Sequence, residues 1–512
     1  MMQDQLIAVL DFGGQYSHLI TRRIRECEVY SELLPYTTTS QQLKELNTKG
    51  IILSGGPSSV YEQKAPKCDP KIFRLGLPVL GICYGLQLMV ELLGGRVKST
   101  RRSEYGKTEL KISDNADLFR GLPSRIVTWM SHGDYAESLP SGFEVIGQSE
   151  NCLTAAIRNS SSKFYAVQFH PEVAHTEKGE QIIRNFVTEI CGCSPKWTAR
   201  SIITTAIDQM RSDVGRGKVL VTVSGGIDST TAAILAQKAL GDNLTCVFVN
   251  HGLLRKDDES FTLNALRGLK LNVHYVDASE RFLRRLKGVT DSEEKRKIIG
   301  EEFIKVFHEE STRLGSFEWL VQGTLYPDVI ESAGTGSVAS KIKSHHNVGG
   351  IPQWSKFKII EPLRLLYKDE VRKIARELGI PDVLIKTHPF PGPGLAVRII
   401  GEITEDKLRI CRESSAIVEE VLKRHGMYDS VWQAFAFVGD DHAVGVLGDQ
   451  RKLGHIVTVR IVNSVDGMTA DWTRVHADML EEISNQITGE VDGVTWVSYA
   501  VSSKPPSTIE PC

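Results

Sequence analysis

The strongest constraint on the fold of this chain is a repeated pattern: a short apolar run stops abruptly at glycine or a polar residue, and a helical pattern follows. In the first third of the sequence such runs precede polar clusters that begin at Asp11, Gly55, Cys83 and His170. Short β-type runs that end in this way and lead into helices are typical of an α/β sheet. Because open α/β sheets bind ligands at the carboxyl ends of their strands, we expect these clusters to share one edge of a sheet.

The same pattern returns after a first boundary near 191–195, and a second boundary falls in the stretch 388–394, where closely spaced prolines and glycines cannot continue a helix or a central strand. We therefore predict two Rossmann-like or flavodoxin-like α/β domains over 5–194 and 195–387, and a smaller α+β domain over 388–512. The elements predicted beyond the first boundary are strands over 219–223, 245–250, 272–277, 319–322, 456–462 and 495–502, and helices over 230–240, 407–424 and 474–487.

Composition narrows the class of protein. The 512 residues include 61 basic and 63 acidic side chains, a net charge of −2 that argues against a nonspecific nucleic-acid binder or a membrane-surface protein. No apolar run approaches the roughly 20 residues of a membrane span, and the first residues lack the pattern of a signal peptide. The nine cysteines form no CxxC pair. We therefore expect a reduced, cytoplasmic protein without nucleic-acid or membrane partners.

Residues 81–85 read Gly-Ile-Cys-Tyr-Gly between a predicted strand and a predicted helix. Small neighbours let a nucleophile project from such a tight elbow, and the helix N-terminus beyond it favours a thiolate at Cys83. The backbone N–H of Tyr84 is then placed to bind an oxyanion. A cysteine nucleophile needs a base and an orienting partner, which His170 and Glu172 supply after a strand of their own. The sequence predicts a catalytic Cys-His-Glu site.

A second constellation lies at residues 224–231, Ser-Gly-Gly-Ile-Asp-Ser-Thr-Thr, which follow a predicted strand and open a helix. Backbone N–H groups in such a turn, together with the helix N-terminus, bind phosphate. The loop is not a Walker loop, because the lysine required by that pattern is missing. It predicts a phosphate site in which Asp228 holds Mg²⁺.

The cysteine elbow, the His-Pro-Glu segment at 170–172, the loop at 54–57 and the Ser-His-Gly-Asp segment at 131–134 together resemble the class I glutamine amidotransferase family over roughly residues 5–190. The resemblance implies that Cys83 attacks the side-chain amide of glutamine, that His170 is the base and that Glu172 orients His170. It also implies contacts from the backbone of Gly56 and Tyr84, as the oxyanion hole, and from Gln87 to bound glutamine.

The loop at 224–231 resembles the SGG-x-DS motif of the ATP pyrophosphatases, which activate an oxygen with AMP and release pyrophosphate. This resemblance implies Mg²⁺, held in part by Asp228, with ATP as co-substrate. The implied ATP contacts are Ser224, Gly225, Gly226, Ile227, Asp228, Ser229 and Thr230. An ammonia-producing domain and an adenylating domain on one chain indicate coupled sites.

Longer motifs at 290–297, 322–332, 343–350, 388–398 and 504–510 resemble the glutamine-hydrolysing GMP synthase family, nearly end to end. The resemblance implies adenylation of xanthosine monophosphate (XMP) and its amination to guanosine monophosphate (GMP) in guanine nucleotide synthesis, by a homodimer joined through the third domain. The implied XMP contacts are Arg296, Gln433, Asp471, Lys504 and Glu510. The adjacent histidines of the stretch 343–350 point apart and do not suit a metal. We interpret this glycine-rich stretch as a mobile lid over the nucleotide.

The chain departs from this family just before its last motif, where Trp496 stands at the position of an arginine expected to hold the XMP phosphate, and Ala500 at that of an aspartate. Loss of such a charge-assisted hydrogen bond predicts a roughly tenfold to hundredfold weaker affinity for XMP.

Three alternatives remain open. One is a different glutamine-dependent ATP pyrophosphatase ligase, such as one that makes NAD or thiolates RNA, which a substrate screen would distinguish. Another is a nucleotide-binding regulator without catalysis, against which the intact Cys83 and Asp228 speak. The least favoured is a Rossmann oxidoreductase, because no GxGxxG follows the first strand.

Overall fold

A computed structural model describes residues 5–333, 357–447, 449–464, 467 and 469–512. The predicted lid at 343–350 lies outside the described residues. The chain divides into two compact units, Met1–Ile202 and Ile203–Cys512. The boundary predicted near residue 388, within the second unit, stays a prediction. Among the described residues, no helix is both long and apolar enough to cross a bilayer.

The first unit is built on one sheet with four α-helices around it, within residues 5–202, all of which the structure describes. Its strands are β1 (Leu6–Asp11), β2 (Ser31–Pro35), β3 (Thr48–Leu53), β4 (Val79–Ile82), β5 (Arg96–Ile112), β6 (Arg125–Ser138), β7 (Glu144–Gln148), β8 (Ala156–Asn159) and β9 (Phe164–Val167). Its helices are α1 (Ser17–Glu26), α2 (Ser40–Glu45), α3 (Tyr84–Leu92) and α4 (Gly179–Arg184).

The strand order of this sheet is β2-β1-β3-β4-β9-β8-β7-β5-β6. The part from β2 to β9 is parallel, and the rest is antiparallel. Both faces of the parallel part are covered: Ile7 and Val9 of β1 pack into one apolar cluster, and Ala8 and Leu10 into another. This explains why β1 reads as a continuous apolar run. The carboxyl ends of β1, β3, β4 and β9 meet at one edge, as predicted for the clusters that follow them.

The second unit contains two sheets in the part of the chain that the structure describes. Their strands are β10 (Val219–Thr222), β11 (Leu244–Asn250), β12 (Val273–Asp277), β13 (Trp319–Val321), β14 (Lys358–Ile360), β15 (Gln433–Leu447), β16 (Gln450–Asn463), β17 (Asp471–Trp472) and β18 (Val494–Tyr499). The helices are α5 (Ala199–Val214), which crosses the division between the units, α6 (Ile227–Leu240), α7 (Asp258–Gly268), α8 (Ser279–Leu286), α9 (Ser292–Leu314), α10 (Tyr326–Ala333), α11 (Lys368–Glu377), α12 (Asp382–Ile385), α13 (Glu405–Arg424) and α14 (Ala477–Glu490).

The first of these sheets is parallel throughout, with the order β12-β11-β10-β13-β14. The order reverses direction between β10 and β13. Crevices of this kind, outside the carboxyl ends of the strands, are where such sheets bind nucleotides. The loop that begins at Ser224 follows β10 and therefore lies at this crevice.

The second sheet is mixed: β16 pairs antiparallel with β15 and β17, and parallel with β18. One face of β15 and β16 packs against α13 and α14 in a shared apolar core, as alternating residues of the strands predict. The mixed α/β class predicted from the sequence is confirmed for both units.

Several predicted boundaries were wrong by a few residues. Helix α6 begins at Ile227 instead of residue 230, because the glycine-rich turn leads directly into the helix from Gly226. Helix α14 begins at Ala477 instead of residue 474, because the His476 side chain caps its first turn. Strand β18 ends at Tyr499 instead of residue 502, where the chain leaves β16 for the C-terminal tail.

Candidate active sites

Cys83 stands on a strained elbow between β4 and α3. Its backbone has φ +53° and ψ −105°, a region that residues other than glycine rarely adopt. The Cys83 N–H donates to the carbonyl of Val167 on the adjacent strand at 2.8 Å and so fixes the turn. A Cβ at Gly85 would lie 2.2 Å from the carbonyl oxygen of Leu53, so only glycine fits there. The predicted glycine-flanked elbow is what holds the cysteine out of regular structure.

His170 lies close enough to Cys83 for the cysteine to raise the pKa of its imidazole. The other side of the imidazole is fixed by Glu172, whose Oε1 lies 2.7 Å from His170 Nδ1. Glu172 is fully buried, and Tyr16 packs edge-on against the imidazole with ring centroids 5.2 Å apart. The structure therefore brings together the three residues that the sequence predicted as nucleophile, base and orienting group.

The protonation of His170 follows from these neighbours. Burial alone would lower its pKa, but the charge of Glu172 and the hydrogen bonds to Cys83 and Glu172 outweigh burial and raise the pKa to about 11. The imidazole is therefore protonated at neutral pH. An imidazolium beside a cysteine nucleophile can give its proton to the leaving group.

The predicted oxyanion donors lie side by side. Tyr84 opens α3, so its N–H has no helical carbonyl to bond, and no side chain caps this helix end. A Cβ at Gly56 would lie 3.3 Å from Cγ of Tyr84 and 2.9 Å from the carbonyl oxygen of Phe12. This close packing places Gly56 beside Tyr84, where the resemblance implies the oxyanion hole.

Gln87 is held by residues that the sequence analysis gave no role. Its Nε2 donates to the carbonyl of Asp134 at 3.0 Å and approaches Oε1 of Gln168 at 3.5 Å. Gln168 Nε2 in turn lies 3.7 Å from Cys83 Sγ. Gln168 belongs to the wall of the site, and its place two residues before His170 was the available signal. The Asp134 carboxylate accepts from Ser59 and Tyr61, which fixes the segment 131–134 beside the nucleophile.

The charge of Glu172 has a testable effect on the pH dependence. Because it raises the pKa of His170, the imidazolium of the wild type persists until the pH approaches about 11. Glu172→Gln removes that charge, so the proton is lost at lower pH. We expect the alkaline limb of kcat/KM for glutamine hydrolysis to move to lower pH in Glu172→Gln. A glutamate-release assay from about pH 6 to about pH 11 measures this.

The matched control is Glu180→Gln, because Glu180 pairs with Arg184 on the exposed surface of α4. This variant should keep the wild-type profile. If the alkaline limbs of Glu172→Gln and the wild type coincide, Glu172 does not set the protonation of His170.

The second predicted site, after β10, has the geometry of an anion-binding loop. The Oγ atoms of Ser224 and Ser229 lie 3.1 Å apart, and Ser229 Oγ also receives the N–H of Ser224. Gly225 has φ +78°, and a Cβ there would lie 2.5 Å from Oγ1 of Thr262. No side chain caps the start of α6 after Gly226. Its first N–H groups, those of Ile227 and Asp228 among them, are therefore directed at the crevice.

Asp228 was predicted to hold Mg²⁺, and its surroundings suit a cation. One carboxylate oxygen pairs with Nζ of Lys368. The other, Oδ1, is buried and has no hydrogen-bond partner among the described residues. A hard cation prefers such carboxylate oxygens, so Oδ1 of Asp228 fits the role of a Mg²⁺ ligand. Lys368 was missed from the sequence because it opens α11, far from the loop, with no motif around it.

The five predicted XMP residues fall into two groups joined by the C-terminal tail, residues 500–512. In the first, Gln433 donates to Glu510 at 2.7 Å, and Arg296 of α9 donates to the backbone oxygen of Cys512 at the end of the same tail. In the second, Lys504 forms an antiparallel bridge with Ala470, next to Asp471. The structure therefore places all five along one tail, although Asp471 is half exposed.

The tail itself is held by two buried arginines that the sequence analysis did not identify. Arg460 of β16 donates to the backbone oxygens of Ser502, Thr508 and Ile509 at 2.8–3.1 Å. Arg398 binds the Glu510 carboxylate with two hydrogen bonds of 3.0 Å. The sequence carried no signal for either arginine, because nothing near Arg398 or Arg460 in the chain indicates that the tail is its partner.

Three family models match successive parts of the chain. Residues 8–190 match the family described as glutamine amidotransferase class-I, residues 200–303 match NAD synthase, and residues 420–511 match the GMP synthase C terminal domain. The fold and sites thus define a glutamine amidotransferase fused to an ATP-using domain.

Curated relatives cover the whole chain. A Synechocystis protein named GMP synthase [glutamine-hydrolyzing] is 54% identical over 99% of this chain and 95% of its own length. One of the same name from Caldanaerobacter subterraneus is 54% identical over 99% of both. A crystal structure of a putative GMP synthase subunit from Thermoplasma acidophilum is 34% identical over 37% of this chain and 94% of that one, with TM-score 0.34. The chain belongs to the glutamine-hydrolysing GMP synthase family.

Proposed function

We propose that this chain converts XMP, ATP and glutamine to GMP, AMP, pyrophosphate and glutamate. The observation that carries the proposal is the presence, in one family member, of the Cys83–His170–Glu172 geometry and of the anion-binding loop at Ser224. One site supplies ammonia and the other supplies an adenylated acceptor. The free cysteines of the described chain suit a reducing compartment, and we propose the cytoplasm.

In the amidotransferase site, the thiolate of Cys83 attacks the amide carbon of glutamine, and the backbone at Gly56 and Tyr84 stabilises the oxyanion. The imidazolium of His170 gives its proton to the leaving ammonia and becomes neutral. The neutral imidazole then takes a proton from water, which attacks the thioester and releases glutamate. Glu172 holds the ring in one orientation and stabilises its charged form in both steps.

In the second site, XMP attacks the α-phosphate of ATP through its purine O2 and pyrophosphate leaves. The N–H groups at the start of α6 and the hydroxyls of Ser224 and Ser229 hold the phosphates. Mg²⁺, held in part by Asp228, would neutralise the charge that develops on the leaving pyrophosphate. The ammonium group of Lys368 would leave Asp228 and pair with the same developing negative charge. Ammonia then displaces AMP from the adenylated purine.

The direct test is a product assay with XMP, Mg-ATP and glutamine. We expect GMP, AMP, pyrophosphate and glutamate in equal amounts. The match of residues 200–303 to NAD synthase favours one competitor, the amidation of a nicotinate dinucleotide. The assay is therefore repeated with nicotinic acid adenine dinucleotide in place of XMP. Turnover with that substrate and none with XMP would replace our proposal.

We also propose that the chain works as a homodimer joined through its C-terminal sheet. The β15–β16 hairpin exposes Val444, Val446 and Leu453, which are 57%, 70% and 70% exposed. Val444 and Leu453 are cross-strand neighbours, so these side chains share one face. Trp496 of β18 extends the patch and donates to the carbonyl of Val444 at 3.1 Å. A contiguous apolar patch of this kind is typical of a protein interface.

The resemblance to the family implies that the residue at position 496, here Trp496, is where an arginine would hold the XMP phosphate. Trp496 pairs with Ile456, whereas Lys504 lies beyond Asn463 at the other end of β16. Seven residues of strand separate these levels by about 23 Å. Within one chain, residue 496 therefore lies far from Lys504, one of the predicted XMP contacts. The predicted weaker affinity for XMP stays a prediction.

The patch can be tested with Leu453→Glu. A buried carboxylate at the interface costs several kcal/mol, so we expect the dimer to dissociate at micromolar concentration. Sedimentation velocity measures the mass of both proteins over a dilution series. The control is Leu153→Glu, at a comparably exposed leucine of the first unit, which should leave the mass unchanged. A Leu453→Glu protein with the mass of the wild-type dimer would place the interface elsewhere.

A further inference from the structure

The C-terminal tail ends in a buried corner built around Arg398. Arg398 is 1% exposed, and its Nε and one terminal nitrogen bind the two oxygens of the Glu510 carboxylate. Phe435 and Phe390 flank the guanidinium, with its central carbon 4.1 Å and 5.2 Å from their ring centroids. This packing allows the side chain little freedom, so the position of Arg398 fixes the position of Glu510.

Gln433 completes the corner. Its Nε2 donates to Glu510 Oε1 at 2.7 Å and to the carbonyl oxygen of Pro389 at 2.9 Å. Both partners can only accept, so the amide nitrogen must face them and both of its protons are used. The amide oxygen of Gln433 has no hydrogen bond to any described residue. Gln433 therefore offers a ligand an acceptor and no donor.

The hydrogen-bond acceptor positions of Glu510 can be counted in the same way. A carboxylate oxygen can accept about two hydrogen bonds. Oε1 receives one from Arg398 and one from Gln433, and Oε2 receives one from Arg398. In the part of the chain that the structure describes, one acceptor position remains, and it is on Oε2. The corner presents two acceptors, which a hydrogen-bond donor can satisfy and which an anionic phosphate cannot.

We propose that Arg398 is a positioning residue of the XMP site, which holds Glu510 and, through it, Gln433 as a pair of acceptors for donor groups of the nucleotide. The proposal rests on the proposed function, since it assigns the donors to XMP. XMP carries such donors as N–H groups of the xanthine ring and as ribose hydroxyls. Its phosphate is repelled by Glu510 and is left to the basic side chains elsewhere along the tail.

The test compares four proteins: the wild type, Arg398→Lys, Glu510→Gln and the double variant. Lysine keeps the charge but loses the two-pronged bond, so we expect Arg398→Lys to raise the KM for XMP about tenfold, with kcat changed less than about twofold. Because Arg398 acts through Glu510, the same change in the Glu510→Gln background should add less than about twofold. Fully additive effects on KM, or an equal loss in kcat, would overturn the proposal.

Two further variants separate this role from a general loss of structure. Arg424→Lys alters an arginine that is half exposed and pairs with Glu482, so its KM for XMP should match the wild type. Phe390→Leu removes one aromatic face from Arg398 while keeping bulk, and it serves if Arg398→Lys does not fold. It should raise the KM a few-fold, again only when Glu510 is present. The same rise in the Glu510→Gln background would overturn the proposal.

XMP binding by each protein is measured by calorimetry as well as by turnover. Wild-type protein that binds XMP but makes no GMP would count against the proposed reaction, and the double-variant comparison of affinities would still test Arg398. Repeating the comparison with 2′-deoxy-XMP identifies the donor. If Glu510→Gln no longer weakens binding when the ligand is 2′-deoxy-XMP, the donor is the ribose 2′-hydroxyl. If Glu510→Gln still weakens binding of 2′-deoxy-XMP, the donor is a xanthine N–H or the 3′-hydroxyl.

Discussion

Cys83→Ala is expected to abolish GMP synthesis from glutamine, by at least about a thousandfold, because the thiolate is the only atom that forms the bond to the amide carbon. Synthesis from added ammonium salt should stay within about twofold of the wild type. The reason is that the phosphate loop at Ser224 belongs to a different compact unit and supplies its own chemistry. Steady-state rates of GMP formation with each nitrogen source measure the effect.

A matched cysteine distinguishes loss of the nucleophile from loss of the fold. Cys68 is buried in the same unit, and burial raises the pKa of its thiol to about 12, so it is inert. Cys68→Ala should keep glutamine-driven synthesis, with at most a small loss of stability. Glutamine-driven turnover that survives in Cys83→Ala would refute the assignment of the nucleophile.

Asp228→Asn is expected to lower AMP and pyrophosphate release about a hundredfold to a thousandfold with either nitrogen source. Asparagine keeps the shape and one oxygen but loses the negative charge that holds the cation, a loss worth about 3–4 kcal/mol in the transition state. It also leaves Lys368 without its partner. Pyrophosphate release at saturating XMP and ATP, over a series of Mg²⁺ concentrations, is the measurement.

The control for this change is Asp213→Asn on α5, where the aspartate accepts from Gln209 on the exposed surface. It should release pyrophosphate at the wild-type rate. A second readout is glutamate release without XMP, which depends on Cys83 and should persist in Asp228→Asn. Near wild-type adenylation by Asp228→Asn would show that the carboxylate does not hold the metal.

Some of this protein could be predicted from its sequence because the information is local. A strand that ends in glycine, an elbow of three residues and a loop that opens a helix each need only neighbours in the chain. Cys83, the loop at Ser224 and the pair His170–Glu172 were found in this way, and the parallel strands did bring the first and last of these to one edge. The resemblance to the family supplied the XMP residues, which no local pattern distinguishes from surface charges.

Only the tertiary structure decided which distant side chains meet. Lys368 pairs with Asp228 across 140 residues, and Arg398 pairs with Glu510 across 112. Neither partner has a local signal, because a single lysine or arginine in a charged segment looks like a solvated one until the fold buries it. The sequence by itself determined the strand ends, the elbow and the phosphate loop, since backbone geometry and residue type suffice for these. The directions in which the carboxylates and amides of the sites face were decided by packing, because each buried polar group must find partners wherever the folded chain provides them.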